Sequence, residues 1–179
     1  MAKKIMIIRH AEKPTKDDEA GILYNGKQSE DSLTVKGWQR AGALAQFFRN
    51  ATANIDTPTE LYSCSLYNDH HALRCLETIT PLADSLNIQV HTTIPRGDEA
   101  KMAILAKESD GIVLICWEHS VIHLIANNIV DCELVPQDWP GERFDMVYVF
   151  DLQPDHSYKF TQVPQMALKG DGSELFNIS

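Results

Sequence analysis

Two stretches of this chain carry an unbroken apolar run into a histidine, and that pattern narrows the possible folds more than any other feature. Ile5-Met6-Ile7-Ile8 leads directly into Arg9 and His10, and Ile112–Trp117 leads through Glu118 into His119. Each run is too short for a helix and β-branched enough for a buried strand. Strands apolar at every position are covered on both faces, as in the parallel sheets of α/β proteins. In open α/β sheets, ligands bind beyond the carboxyl ends of the strands. If the two strands are parallel neighbours, both imidazoles reach one crevice. Polar residues also end many solvated edge strands, so the pair says more than either end alone.

The chain between and beyond these runs alternates helix and strand signals. Residues 15–32 are polar and acidic with two glycines, and they read as a long surface loop. Thr34 is placed to cap a helix whose apolar face is Trp38, Ala41, Ala45 and Phe48. Residues 51–58 turn into a short strand, Glu60–Cys64. A helix over about His70–Leu86 is predicted to bury Leu73, Leu76, Ile79 (or Thr80) and Ala83. Ile88–Thr92 reads as a third strand, and Asp98 as the cap of a short helix through Lys107. After the Ile112–Trp117 strand comes a helix over about Val121–Val130, then a loop, 131–145. Met146–Phe150 reads as a fifth strand and Tyr158–Val163 as a sixth, antiparallel at an edge. The tail, 164–179, carries no clear pattern. This alternation predicts a single domain over residues 1–179, a three-layer α/β/α sandwich with a mostly parallel central sheet.

Composition restricts the partners. Net charge is −9, which argues against nucleic acid and anionic membrane, since both require a basic surface. A small anionic substrate remains open, because a local pair of arginines can override the global sign. No apolar run approaches the ~20 residues needed to span a bilayer. The basic start is followed by only four consecutive apolar residues, too few for a signal peptide. Cys64, Cys75, Cys116 and Cys132 contain no CxxC spacing and read as reduced, mostly structural thiols of a cytoplasmic protein.

Five segments, in order along residues 3–151, resemble the histidine phosphatase superfamily, the phosphoglycerate-mutase-like fold: RHAEKP, LTVKGWQRAGAL, SCSLYNDHHALRCLET, WEHSVIHLI and WPGERFDMVYVFD. The resemblance implies a phosphohydrolase acting on a phosphomonoester or phosphoramidate, with no metal and no cofactor. It makes His10 the nucleophile that forms a phosphohistidine. Arg9, Arg74 and His119 then bind the phosphoryl oxygens. The chemistry is consistent: guanidinium groups match the charge and shape of a phosphoryl group in flight, and two of them disfavour the imidazolium form of His10. The ring nitrogen that does not attack needs an acceptor, for which a backbone carbonyl is expected. A helix beginning just after His119 would add N–H groups and a positive dipole end.

Departures from the family pattern are Ala11, where glycine is usual, and Ser120-Val121, where glycine-rich turns are common. The chain also lacks the mutases' tryptophan-glutamate-glycine stretch, which argues against phosphoglycerate-mutase-type phosphotransfer. The proton donor to the leaving group is expected from Glu99 or Asp98, with Glu12 and Glu118 as further candidates, though each of the first two also suits a helix start. Lys13 could reach a second anionic group, or simply be solvated. His70 and His71 read as surface residues. The implied partner is a small phosphorylated substrate or a phosphoprotein. Two rival readings remain: a non-catalytic phosphate-binding module on the same fold, and a metal hydrolase using His119 and His123 at i, i+4. The second lacks HExxH and an obvious third ligand. Neither GxxxxGK[ST] nor GxGxxG occurs.

Overall fold

The computed structural model describes residues 1–15, 19–67, 69–132 and 134–178. Parts of the two predicted loops (16–18 and 133), residue 68 in the turn after the second strand, and the last residue of the tail lie outside the described residues.

The predicted central strands are neighbours. β1 (Lys4–Arg9) pairs in parallel with β4 (Ile112–Trp117), with Ile8 opposite Cys116 and Arg9 opposite Trp117. Every residue of β1 is buried, so both faces of the sheet are covered. On one side β4 pairs in parallel with β2 (Glu60–Ser63), and β2 with the two-residue β3 (Val90–His91). On the other side β5 (Met146–Leu152) runs antiparallel to β1, and β6 (Tyr158–Pro164) antiparallel to β5 at the edge. The order is therefore β3-β2-β4-β1-β5-β6. The third strand is much shorter than the Ile88–Thr92 expected for it, because its half-exposed edge finds only two partners on β2.

The helices α1 (Val35–Arg49), α2 (Leu73–Leu86), α3 (Glu99–Glu108) and α4 (Ile122–Val130) connect these strands. β1 to β2 and β2 to β3 move in one direction across the sheet, while β3 to β4 moves back. Right-handed crossovers then put α1 and α2 on one face and α3 on the other, against which α4 packs. This is the three-layer sandwich with a mostly parallel sheet. No described helix is long and apolar enough to cross a membrane.

Two local expectations need correction. Thr34 does cap α1, its Oγ1 accepting from Gly37 N at 3.1 Å, but Asp98 stands at the start of α3 with no side-chain cap bond. The buried face of α2 is also rotated. Leu73 and Leu76 are half-exposed, whereas Arg74, Cys75, Glu77 and Thr78 are buried beside Ile79 and Leu82. The polar residues point inward because partners wait there. The Glu77 carboxylate accepts from Ser32 Oγ at 2.6 Å and Leu33 N at 2.9 Å, pinning the end of the first long loop to α2. The tail is well packed: Gln165 and Phe176 are buried against the domain.

Candidate active site

The carboxyl ends of β1, β2, β3 and β4 meet at one edge, and their loops enclose a cavity of about 230 Å³. His10 and Lys13 reach it from the β1 loop, Asp69 from the β2–α2 connection, Arg74 from the first turn of α2, Arg96 from the β3 loop, and Glu118 from the end of β4.

His10 follows β1 directly and is 3% exposed. Its Nδ1 lies 2.7 Å from the carbonyl oxygen of Ala11. A carbonyl only accepts, so Nδ1 carries the proton and Nε2 keeps its lone pair. Burial, together with Arg9, Arg74 and Lys13 nearby, lowers the His10 pKa to about 3, against the donor bond to Ala11 that opposes it. Ala11 keeps an ordinary negative φ, so the residue that departs from the family's usual glycine is unstrained. Its N–H donates to Thr78 Oγ1 at 2.8 Å, and that hydroxyl donates to the Arg74 carbonyl at 2.6 Å. One buried threonine thus joins the backbone beside His10 to the backbone of Arg74. α1 presses on the same segment: a Cβ on Gly37 would lie 2.4 Å from Glu12 O, so only glycine permits that approach.

This geometry predicts an acid-sensitive stability. Between about pH 6.5 and about pH 3, an unfolded His10 takes up a proton that the folded one refuses. The stabilisation is therefore complete above pH 6.5 and is lost as pH falls toward 3. Urea unfolding of the parent and of His10→Gln across pH 4–8 should show the parent losing stability toward acid faster than the variant.

Arg9 ends β1 almost fully buried. Its Nη1 donates to the carbonyls of Gly141 and Arg143 at 2.7 and 2.8 Å, and its Cζ stands 3.9 Å above the Phe144 ring. Burial lowers its pKa to about 10, which leaves it charged at neutral pH. Arg9 does not line the cavity, although its Nη2 makes no hydrogen bond among the described residues. Arg74 does line it. Nη2 of Arg74 donates to Glu30 O at 2.6 Å, while its buried Nε has no partner.

His119 opens a short 3-10 turn, His119–Val121, that leads into α4. Its ring lies 6.4 Å from that of His10 and nearly perpendicular to it. Contact of both rings with one phosphoryl group calls for a separation within about 6 Å, which the observed spacing slightly exceeds. Nδ1 of His119 lies 2.7 Å from Glu118 Oε1. Burial alone would raise the Glu118 pKa, but His119 and the Ser120 hydroxyl and N–H outweigh it and bring it down to about 2. Among the described residues no three His, Cys, Asp or Glu side chains group to hold a metal, so His119 and His123 gain no third ligand there.

The candidate acids are scattered. Glu99 is buried, accepting from Trp117 Nε1 at 3.1 Å and Gly97 N at 3.0 Å, and Asp98 is exposed. Neither lines the cavity. Glu12 is held by Arg40 at 2.9 Å. The cavity carboxylates are Glu118 and Asp69, and Asp69 pairs with Arg96 at 3.2 Å. Asp69 and Arg96 escaped the reading of the sequence, although both follow strands whose ends meet at this edge. The strand-end rule that drew attention to Arg9 and His119 could have found them. Lys13 also faces the cavity.

No family model and no curated protein matches the chain. Solved structures do. The protein histidine phosphatase SixA, complexed with tungstate, superposes with a TM-score of 0.57 at 15% identity, over 90% of this chain and 97% of that one. The chain has the histidine phosphatase fold. A mutant phosphoserine phosphatase from Entamoeba histolytica bound to phosphoserine gives 0.56 at 16% identity, over 90% and 95%. The same enzyme with 3-phosphoglyceric acid gives 0.54 at 15%. Within a histidine phosphatase fold, the crevice holding His10 and His119 lies where the parallel strands end, as the topology requires.

Proposed function

We propose that this chain is a metal-independent phosphohydrolase. His10 Nε2 attacks phosphorus, an N–P bond forms as the bond to the leaving group breaks, and water then attacks the phosphohistidine to release phosphate and free His10. The observation that carries this reading is the His10 ring itself: neutral, with its tautomer set by the Ala11 carbonyl, and facing a cavity that Arg74 also lines. Arg9, Arg74 and His119 are assigned to the phosphoryl oxygens, where charge develops in the transition state. His119 has Nδ1 turned to Glu118, which leaves Nε2 for the ligand. The structural neighbours that hold tungstate and phosphoserine support a phosphorylated substrate.

The leaving group is one that departs without a strong acid. Glu118 is ionised down to about pH 2, Asp69 is spent on Arg96, and Glu99 is engaged by Trp117. A phosphoramidate, or an ester of an acidic alcohol or phenol, meets that condition. The test is a series of aryl phosphates of increasing phenol acidity, alongside phosphoimidazole, assayed with and without chelator. Turnover should persist with chelator and rise steeply with leaving-group acidity. A flat dependence would reveal a working general acid, and no turnover of any member would leave a phosphate-binding module.

Thr78 is expected to position His10 through Ala11. Thr78→Val leaves the buried Ala11 N–H unpaired, a cost of about 1–3 kcal/mol. We expect kcat to fall about 10- to 100-fold, as for other outer-shell partners, with Thr78→Ser restoring most of it. Equal losses in both variants would point to packing instead.

A further inference from the structure

The second half of the proposed reaction has no base among the groups assigned so far. Water that attacks a phosphohistidine must give up a proton. Glu118, ionised down to about pH 2, is too weak a base to take it. Asp69 is paired with Arg96 at 3.2 Å. The Lys13 ammonium offers donors only. Contacts among the thiols and burial hold Cys64 and Cys75 protonated. Of the described residues that line the cavity, His71 has the right chemistry and no other role.

His71 lies in the short 3-10 turn His70–Ala72, just before α2, and that turn is fixed by the Asp69 carboxylate accepting from His71 N at 3.1 Å. Consecutive residues at the end of the first long loop grip one side of the turn and helix. Asp31 Oδ1 stands 3.1 Å from His71 Nδ1, Glu30 O accepts from Arg74 Nη2 at 2.6 Å, and Ser32 Oγ donates to Glu77 at 2.6 Å. Residues 71, 74 and 77 are three apart, so they share a face, and His71 stands one turn before the arginine assigned to the phosphoryl group. A carboxylate only accepts, so a neutral His71 carries its proton on Nδ1, toward Asp31, and keeps the Nε2 lone pair. The side chain is 62% exposed, which gives a proton taken at the cavity a route to solvent.

We infer that His71, positioned by Asp31, is the general base that activates water for hydrolysis of the phosphohistidine. As the water oxygen bonds to phosphorus, the P–N bond to His10 breaks and its electron pair returns to His10 Nε2. The water proton goes to His71 Nε2 and from there to solvent. The leaving group proposed for the first step departs without a proton, so His71 gives up nothing there and meets the water neutral. The inference rests on the phosphohistidine reading of His10 and assigns the residue that completes its second step.

The test follows the second step by itself. The protein is labelled with phosphorus-labelled phosphoimidazole, freed of excess donor, and quenched at intervals as the label is lost to water. His71→Gln keeps a polar side chain beside Asp31 but no base. It should take up label at about the parent's rate and lose it about 10²-fold more slowly. Asp31→Asn should slow the loss by about tenfold, as for other partners that orient a histidine. With 4-nitrophenyl phosphate, His71→Gln should release a stoichiometric burst of nitrophenol followed by a slow steady state. Equal rates of label loss in the parent and His71→Gln overturn the assignment. Uptake slowed as much as loss overturns it too, since that marks a general disturbance of the cavity. An active parent that never traps label overturns the phosphohistidine reading itself, a result distinct from the other two.

Discussion

His10→Ala is expected to abolish turnover and covalent labelling while leaving the chain folded. The imidazole has its lone pair freed by a fixed hydrogen bond and its charge suppressed by its surroundings. Covalent catalysis splits one difficult displacement into two easier ones, and removing the nucleophile removes both. The rate should fall by about 10³-fold or more. The fold should survive, because the change removes one hydrogen bond, to Ala11, worth about 1–3 kcal/mol at most. Rapid quench with a phosphorus-labelled substrate should trap label on the parent protein that is acid-labile and base-stable. Circular dichroism of the variant should match the parent. Full activity in His10→Ala, or no trapped label under burst conditions, would remove His10 as nucleophile.

Arg40→Ala should be the most destabilising single substitution outside the apolar core. Arg40 is 2% exposed on α1 and ties three segments together. It bonds Glu12 at 2.9 Å, just beyond His10, and Asp171 at 2.8 Å and Gln165 at 3.0 Å in the tail. Burial by itself would lower its pKa, but the bonds to Asp171 and Glu12 raise it above the ordinary arginine value. Breaking a buried ion network by removing one partner costs about 3–5 kcal/mol, because the remaining charges stay desolvated. Urea unfolding should show that loss in Arg40→Ala. Adding Glu12→Gln to Arg40→Met should recover part of it, since one of the two orphaned carboxylates is then gone. A loss under about 1 kcal/mol would mean that water reaches these carboxylates freely.

The elements legible in advance were those that local chemistry specifies alone. Ile112–Trp117 reads as a buried strand because six consecutive residues suit both covered faces, and the strand has those bounds. Thr34 reads as a cap because a side-chain oxygen before an apolar-periodic stretch has one common use, and it accepts from Gly37 N. Helical periodicity, by contrast, put Leu73 and Leu76 on the buried face of α2 with Ile79 and Ala83, and only the latter two are buried. Arg74, Glu77 and Thr78 turn inward because the Glu30 carbonyl, Ser32 with Leu33, and the Ala11 N–H arrive there from distant parts of the chain.

The same division runs through the site. Strand ends carrying Arg and His placed His10 and His119 at one sheet edge once their strands were taken as parallel neighbours, because parallel pairing carries the carboxyl ends of β1 and β4 to the same side. Only the tertiary structure decided which carboxylates face the cavity. Glu99 begins a helix in either reading, yet the fold of the β3–α3 loop over the end of β4 commits it to the Trp117 indole, while Asp69 and Glu118 are left at the cavity wall. The sequence determined where the candidate site could sit, through local hydrophobic runs and their polar ends. The long-range contacts determined the proton inventory around it, because a carboxylate's role depends on the donors it meets, and those donors come from elsewhere in the chain.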